Sequence, residues 1–223
     1  MTVRYRLFAA VAVLGLGAAL GGCHSKGDLV VDESVGITAV RGACPAVGIP
    51  DYTGDVTLFR AGTDKTAANI DVVAAMTNVR SQCNDGGDGS TGKVFVSTSF
   101  DVLGRRTDTR GARQVQLPYF VTVLRGGNTV VTKRIGQVTL NFADGQERAQ
   151  AQGKGSAYVD RAEATLSEEI RERITRRRKA GDQDAAIDPL SEPTVKAAVA
   201  RASFEVLVGF QLDDTQLAYN VTR

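Results

Sequence analysis

The chain contains no tryptophan and a single histidine, His24, among its 223 residues. A Ser-His-Asp or Cys-His catalytic site needs a histidine beside its nucleophile, and most zinc sites use histidine or clustered cysteine. The sequence also has no Walker-type phosphate loop and no GxGxxG motif that leads from a strand into a helix. These absences argue against the corresponding enzyme classes, and we expect no cofactor and no metal.

A long apolar run is also missing. The longest one, Leu7 to Leu20, follows Arg4 and Arg6, and its roughly 14 residues fall short of the about 20 that a membrane-spanning helix needs. A short positive region followed by such a run is typical of a secretory signal peptide.

This run ends at Leu20-Gly21-Gly22-Cys23, which resembles the lipobox of bacterial lipoproteins. The resemblance covers residues 1–23. It implies that residues 1–22 are a signal peptide and that Cys23 becomes the N-terminus, carrying a diacylglyceryl thioether and an acylated amine such as a palmitoyl amide. Two or three acyl chains give durable membrane attachment. His24 stands where an aspartate would favour inner-membrane retention, so the resemblance implies the periplasmic face of the outer membrane. An ordinary cleaved signal peptide and an N-terminal anchor helix are the alternatives.

The charge of the exported chain is balanced. The whole sequence carries a net charge of +2, and removal of residues 1–22 takes away Arg4 and Arg6 without an acid. A neutral protein has no global field that attracts nucleic acid, so we expect no nucleic-acid partner and consider only local charged surfaces.

Cys44 and Cys83 remain once Cys23 is assigned to the lipid. An even number of cysteines in an exported protein favours a disulfide. The bond would close a loop of about 40 residues and contribute about 4 kcal/mol in the chain-entropy model. A redox or metal pair is the alternative, but the spacing is not CxxC.

Strand patterns dominate after a short tether at residues 23–36. Alternating or β-branched segments occupy residues 55–60, 70–83 and 93–103, and residues 113–159 read as three consecutive antiparallel strands. Pro118 lacks an N–H and predicts an edge strand or a bulge there. Residues 203–212 and 216–223 predict two last strands around a turn at Asp213 and Asp214.

The pattern predicts one domain over residues 37–223, a mainly β, antiparallel β-sandwich of immunoglobulin-like architecture. A two-helix insertion is expected at residues 165–202. Thr165 and Glu168 have capping-box spacing, Gly181 is a candidate C-cap, and Ser191 is a candidate N-cap of the second helix, with Pro193 in its first turn.

The first of these helices carries the strongest local charge. Its cations form a candidate interaction surface for an envelope protein or an anionic envelope component, such as lipid head groups. The alternative is that they complement the helix dipole and pair with the acidic loop that follows. The cations are Arg171, Arg173, Arg176, Arg177, Arg178 and Lys179. A second basic stretch, residues 105–113, predicts a loop between strands that joins this surface if the fold brings the two together.

Other polar clusters predict ordinary loops. Residues 84–92 resemble a calcium loop only superficially, because Gly86 and Phe95 occupy positions where an EF-hand needs oxygen ligands. The acid pairs 182/184 and 213/214 lie in turn-like segments and are interpreted as loop or capping residues. The sequence therefore predicts a non-enzymatic, lipid-anchored binding or scaffolding module of the periplasm. The alternative is an envelope ligand-binding protein or hydrolase that uses only carboxylates and arginines.

Overall fold

A computed structural model of the protein describes residues 43–85, 92–176 and 187–223. The described chain is mainly β. Its strands are β1 (Ala46–Gly48), β2 (Asp55–Phe59), β3 (Ile70–Asn84), β4 (Lys93–Arg106), β5 (Arg113–Arg125), β6 (Thr129–Phe142), β7 (Arg148–Asp160) and β8 (Phe204–Phe210). Its helices are α1 (Glu168–Thr175), α2 (Pro193–Ala202) and α3 (Asp214–Thr222). None of the helices in these ranges is long and apolar enough to cross a membrane.

The strands form two four-stranded sheets with the orders β1-β8-β5-β6 and β2-β3-β4-β7. All pairings are antiparallel except the short one between β1 and β8. The chain passes from β4 into the β5–β6 hairpin of the other sheet and then returns to β7 beside β4. This route places β6 and β7 at edges of different sheets, and the expected sandwich-like, mainly β fold is confirmed.

The core lies between the two sheets because the strands alternate buried apolar and outward polar side chains. Phe100 of β4 and Tyr119 of β5 meet there with ring centroids 5.0 Å apart and nearly perpendicular planes. Each ring also covers a glycine on the paired edge strand: Phe100 is opposite Gly153, and Tyr119 is opposite Gly136. A Cβ at either glycine would overlap the ring, so these glycines make room for the aromatic core.

The end of the sandwich where β4 stops is held by a buried arginine. Arg106 is 1% exposed and its guanidinium donates to four backbone carbonyl oxygens at 2.7–2.9 Å. It also lies over the Phe142 ring, 5.3 Å from the centroid. The carbonyls belong to Thr109, Gly111, Ala143 and Gln146, so one side chain joins the β4–β5 and β6–β7 loops.

Two strand expectations are wrong. β5 is an interior strand between β8 and β6, and its register shift lies at Val123 and Leu124, not at Pro118. The Pro118 carbonyl accepts from the Gln211 N–H just beyond the last β8 pair. The missing N–H therefore faces the point where β8 stops, so Pro118 accepts from Gln211 but cannot donate back to it.

The expected last strand, residues 216–223, is instead part of α3. Asp213 and Gln216 form a capping box, in which each side chain bonds the backbone N–H of the other residue. Tyr219 packs edge-on against Phe59. Asn220, 6% exposed, donates to the carbonyls of Tyr52 and Asp55 at 2.8 Å. The helix thereby covers the sandwich beside β2, and Asp213 is a capping residue as expected.

Both helices of the expected insertion are present, with different starts. Thr165 makes no capping box, because its hydroxyl donates to the Arg161 carbonyl, and α1 begins after Ser167. α2 begins at Pro193 with Glu192 as N-cap, whereas Ser191 ends a 3-10 turn. Gly181 lies outside the described residues.

Candidate functional site

A groove of about 400 Å³ opens between the edge strands β6 and β7. We call it the β6–β7 groove. Its apolar wall and floor are formed by Tyr119, Val121, Ile135, Gly136 and Gly155. Its polar residues are Ser97, Arg134, Lys154 and Ser156. The volume lies in the range of small-ligand sites, and the lining among the described residues contains no carboxylate.

The groove keeps its shape because the sheets are tied together at its floor. The Tyr119 ring extends across Gly136, and its hydroxyl donates to the Lys154 carbonyl oxygen at 2.6 Å. Val121 packs against Gly155 in a similar way, so closely that a Cβ there would overlap it. Larger side chains at positions 136 and 155 would fill this space, and the glycines therefore leave the groove open.

The groove is positively charged. Arg134 and Lys154 are both exposed, and within the described parts of the chain neither side chain takes part in a hydrogen bond or an ion pair. Arg134 lies in register with inward-facing Val121, so it is on the face of β6 that looks toward the other sheet. Two cations that share an opening and form no ion pair with a described residue favour an anion.

A row of outward side chains continues from the groove along β4 and β7. Cross-strand partners in this row are Ser99 with Lys154, Ser97 with Ser156, and Phe95 with Tyr158. The Phe95 and Tyr158 rings lie 5.0 Å apart, and Tyr158 is 53% exposed. Hydroxyl groups therefore separate the exposed Tyr158 ring and its half-buried partner Phe95 from the cationic groove.

Beyond Ser99 and Lys154, the next outward pair, Asp101 and Gln152, belongs to a hydrogen-bond network. The Asp101 carboxylate accepts from the Asn78 amide at 2.7 Å and from the Gln152 amide at 3.1 Å. Asn78 in turn accepts from Arg80 Nε at 3.0 Å. Asn78 has a φ of 52° at the register shift of β3, which turns its amide toward Asp101. The acid nearest to Lys154 along the row is thus already engaged by amides.

The expected disulfide is present. Cys44 and Cys83 are bonded, with their Cα atoms 6.0 Å apart and a sequence separation of 39. The bond joins the segment before β1 to the end of β3, and these strands belong to different sheets. Cys23, the expected lipid site, lies outside the described residues.

The basic helix surface is only partly described. Arg171 pairs with Glu168, and Arg173 pairs with Glu169 at 3.7 Å and with Glu192 at 3.2 Å. Arg176 is the C-cap residue of α1, with its backbone N–H bonded to the Glu172 carbonyl. The remaining candidates, Arg177, Arg178 and Lys179, and the acid pair 182/184 lie outside the described residues. The pairs made by Arg171 and Arg173 agree with the alternative in which this helix balances its own charge.

The second basic stretch does not form a free cationic surface. Arg105 pairs with Glu147 at 2.6 Å, Arg110 with Asp108 at 2.7 Å, and Arg106 is buried. The Arg110 guanidinium, by its hydrogen bonds, holds the pKa of Asp108 well below its usual range.

Arg113, the last cation of this stretch, makes a bidentate pair with Asp71 at 2.6 and 2.7 Å. Its hydrogen bonds lower the pKa of that carboxyl. Arg113 begins β5, whereas Arg125 at the end of β5 pairs with Glu163 and donates to the Arg201 carbonyl of α2. The two basic segments therefore lie at opposite ends of β5.

The sequence reasoning missed the β6–β7 groove. A signal was present in β7, where the inward positions 149, 151, 153, 155 and 157 are all alanine or glycine, but a run of small residues does not show which aromatic rings fill it. Arg134 and Lys154 are 20 residues apart in sequence, and only the pairing of the sheets brings them to one opening. Comparison with protein-family models, with curated proteins and with solved structures finds no match for this chain.

Proposed function

We propose that the protein is a non-enzymatic binding module of the bacterial cell envelope, anchored by lipid on Cys23 at the periplasmic face of the outer membrane, and that it holds an anionic envelope component. The observation that carries the binding role is the β6–β7 groove, whose two cations, Arg134 and Lys154, form no ion pair with any described residue. A solvent-open groove with two cations in its lining suits recognition of an anion.

Two features support the envelope location. The lipobox-like sequence that ends at Cys23 directs export and lipidation in the proteins it resembles. The Cys44–Cys83 disulfide is of the kind that persists in the oxidising periplasm and is rare in the bacterial cytosol. An immunoglobulin-like architecture remains part of the proposal, and the two packed four-stranded sheets support it.

The alternative is an envelope ligand-binding protein or a hydrolase that uses carboxylates and arginines. The residues that line the groove distinguish ligand binding from hydrolysis. Acid hydrolysis of the kind used by glycosidases needs a pair of carboxyl groups at the scissile bond. The described lining offers cations and hydroxyls instead, which favours binding over turnover.

The anchor and the binding role are tested separately. For the anchor, the wild-type protein and Cys23→Ala are compared by membrane fractionation and by mass spectrometry of the N-terminal peptide. We expect lipid on Cys23 and loss of the variant from the outer-membrane fraction. An unmodified Cys23 in the membrane fraction would contradict the anchor.

For the binding role, in-cell crosslinking of the wild type is compared with Arg134→Gln/Lys154→Gln. Lys133→Gln is the matched control. Lys133 is also in β6, but it lies over the Phe120 ring of β5 on the outer face of that sheet, away from the groove. We expect the double variant to lose a crosslinked species that the control retains. Equal crosslinking by all three proteins would contradict a role for the groove.

A further inference from the structure

We infer that the ligand of the β6–β7 groove is an acidic oligosaccharide, a short chain of sugars that carry carboxylate or phosphate groups. One sugar ring stacks on the Phe95–Tyr158 pair, and an acid group of a neighbouring sugar in the same chain lies between Arg134 and Lys154. This inference rests on the proposed binding function and names the ligand class.

The first support is the order of the side chains along the sheet. The outward residues Phe95, Ser97 and Ser99 of β4 face Tyr158, Ser156 and Lys154 of β7, in that order. Alternate residues of a strand are about 6.7 Å apart. The surface therefore changes from aromatic to hydroxyl to cationic over about 13 Å, a length that more than one sugar unit is needed to cover.

The second support is the chemistry of each part. A pyranose ring has an apolar C–H face that packs on an aromatic ring, and its hydroxyls exchange hydrogen bonds with serine hydroxyls, which donate and accept equally well. The Phe95–Tyr158 rings remain available for this contact, since Tyr158 is 53% exposed. A simple inorganic anion would use the cations but would leave the aromatic pair and Ser97 without a role.

The third support is the charge. Arg134 and Lys154 form no ion pair among the described residues, and the Asp101 carboxylate, at the next outward position beyond Ser99 and Lys154, is hydrogen-bonded by Asn78 and Gln152 instead. Within the described residues, the two cations therefore face the opening without an ion pair of their own. An acid group on the sugar supplies the missing charge and fixes the direction in which the chain of sugars lies.

The test is calorimetric titration of the full chain in a polyoxyethylene detergent, which carries no sugar head group. The probes are trigalacturonate, its methyl ester, which keeps the sugar rings and removes the charge, and inorganic phosphate. We expect trigalacturonate to bind and its methyl ester to bind at least about tenfold more weakly, since a charged hydrogen bond is lost at each cation.

Single variants test the two proposed contacts separately, the sugar ring on Tyr158 and the acid group at Lys154. Tyr158→Leu removes the aromatic face and is expected to weaken trigalacturonate binding by about tenfold. Its matched control is Tyr52→Leu, because Tyr52 is also 53% exposed but is not part of the groove or the row. Lys154→Gln is expected to weaken binding to a similar degree, and Lys133→Gln is expected to leave it unchanged. Thermal unfolding of each variant verifies that the fold is retained.

The outcomes separate the two proposals. Binding of phosphate that requires Lys154, with no binding of trigalacturonate, would overturn the carbohydrate inference and leave the anion-binding function in place. Binding of trigalacturonate that is unaffected by Tyr158→Leu, or equal binding of its ester, would also overturn the inference. If no probe binds, both proposals fail.

Discussion

The hydroxyl of Tyr119 donates to the carbonyl oxygen of Lys154 at 2.6 Å and so links β5 of one sheet to the edge strand β7 of the other. Tyr119 is almost fully buried, and β7 pairs within its own sheet only with β4. The bond satisfies a carbonyl at an unpaired edge and sets the spacing of the sheets at the floor of the groove.

Removal of this hydroxyl should destabilise the domain. We expect Tyr119→Phe to lower the free energy of unfolding by about 1 kcal/mol, because the Lys154 carbonyl loses its partner in a partly buried place. The control is Tyr158→Phe, whose hydroxyl is exposed. Urea unfolding followed by circular dichroism measures both, and equal losses in the two variants would show that the bond between the sheets contributes nothing.

Gly136 should not tolerate a methyl group. In Gly136→Ala the new Cβ overlaps the Tyr119 ring, and relief of such a clash in a packed core typically costs about 1–3 kcal/mol. Gly48→Ala is the control, since a Cβ at Gly48 meets only an ordinary contact with Leu207. Combining Gly136→Ala with Tyr119→Leu should recover part of the loss, because neighbouring residues couple; strictly additive losses would argue against the clash.

Arg106 should not be replaceable by lysine. An ammonium group cannot span the four carbonyls that the guanidinium reaches, and a buried charge with incomplete hydrogen bonds costs about 3 kcal/mol or more. The neighbouring Arg105 is largely exposed, and its ion pair with Glu147 is of the kind that contributes little. We expect a large fall in the thermal midpoint for Arg106→Lys and almost none for Arg105→Lys. Similar midpoints for the two variants would contradict the bracing role of Arg106.

The Asp71–Arg113 pair should make stability depend on pH in the acid range. Hydrogen bonds from Arg113 lower the pKa of Asp71 in the folded protein, so the pair stabilises the fold above the unfolded-state pKa of about 3.9. That contribution is lost as the pH falls through the lower, folded-state pKa.

The pH dependence is checked with Asp71→Asn. We expect the variant to lose about 1 kcal/mol at neutral pH and the difference from the wild type to shrink as the pH falls below about 4. Asp51→Asn serves as the control, because Asp51 is an exposed acid outside the pair. A constant difference across the titration would show that the ionised form of Asp71 is not what stabilises the fold.

Loss of the disulfide should be costly. Cross-linking residues that are 39 positions apart in sequence restricts the unfolded chain, and we expect Cys44→Ser/Cys83→Ser to be about 3–4 kcal/mol less stable. A reducing agent should lower the midpoint of the wild type to that of the double variant and leave the variant unchanged. A wild-type midpoint that does not respond to full reduction would contradict this contribution.

The sequence predicts most of the strands because their signal is local. Val115, Leu117, Tyr119 and Val121 alternate with more exposed residues in the sequence and in β5 alike. The same pattern predicts the wrong structure for the C-terminal segment. Leu217, Tyr219 and Val221 also stand at alternate positions, but the capping box at Asp213 and Gln216 starts a helix there. A short segment can satisfy both periods, and packing of Tyr219 and Asn220 against the β2 region decides between them.

The groove depends on contacts that are distant in sequence, and for that reason it could not be predicted. Arg134 in β6 and Lys154 in β7 come together only because the chain leaves one sheet for the hairpin of the other. Conversely, described cations in the most basic segments of the sequence are less available to bind a ligand. Arg113 and Arg173, for example, are both paired with acids. A dense run of cations can be seen in the sequence, but whether a cation forms an ion pair depends on which acids the fold brings near it.

The glycines beneath the core rings also help to hold the edge strands in register. An edge strand has a neighbour on one side only, and a shift by two residues would keep the same side chains facing inward. Such a shift of β6 would place Tyr119 opposite Arg134 or Val138, and a shift of β7 would place Phe100 opposite Ala151 or Gly155. Of these shifted partners, only Gly155 lacks a Cβ, and Val121 occupies the space above it. Each aromatic–glycine pair therefore disfavours the two-residue shifts of β6 and β7 and stabilises the observed alignment.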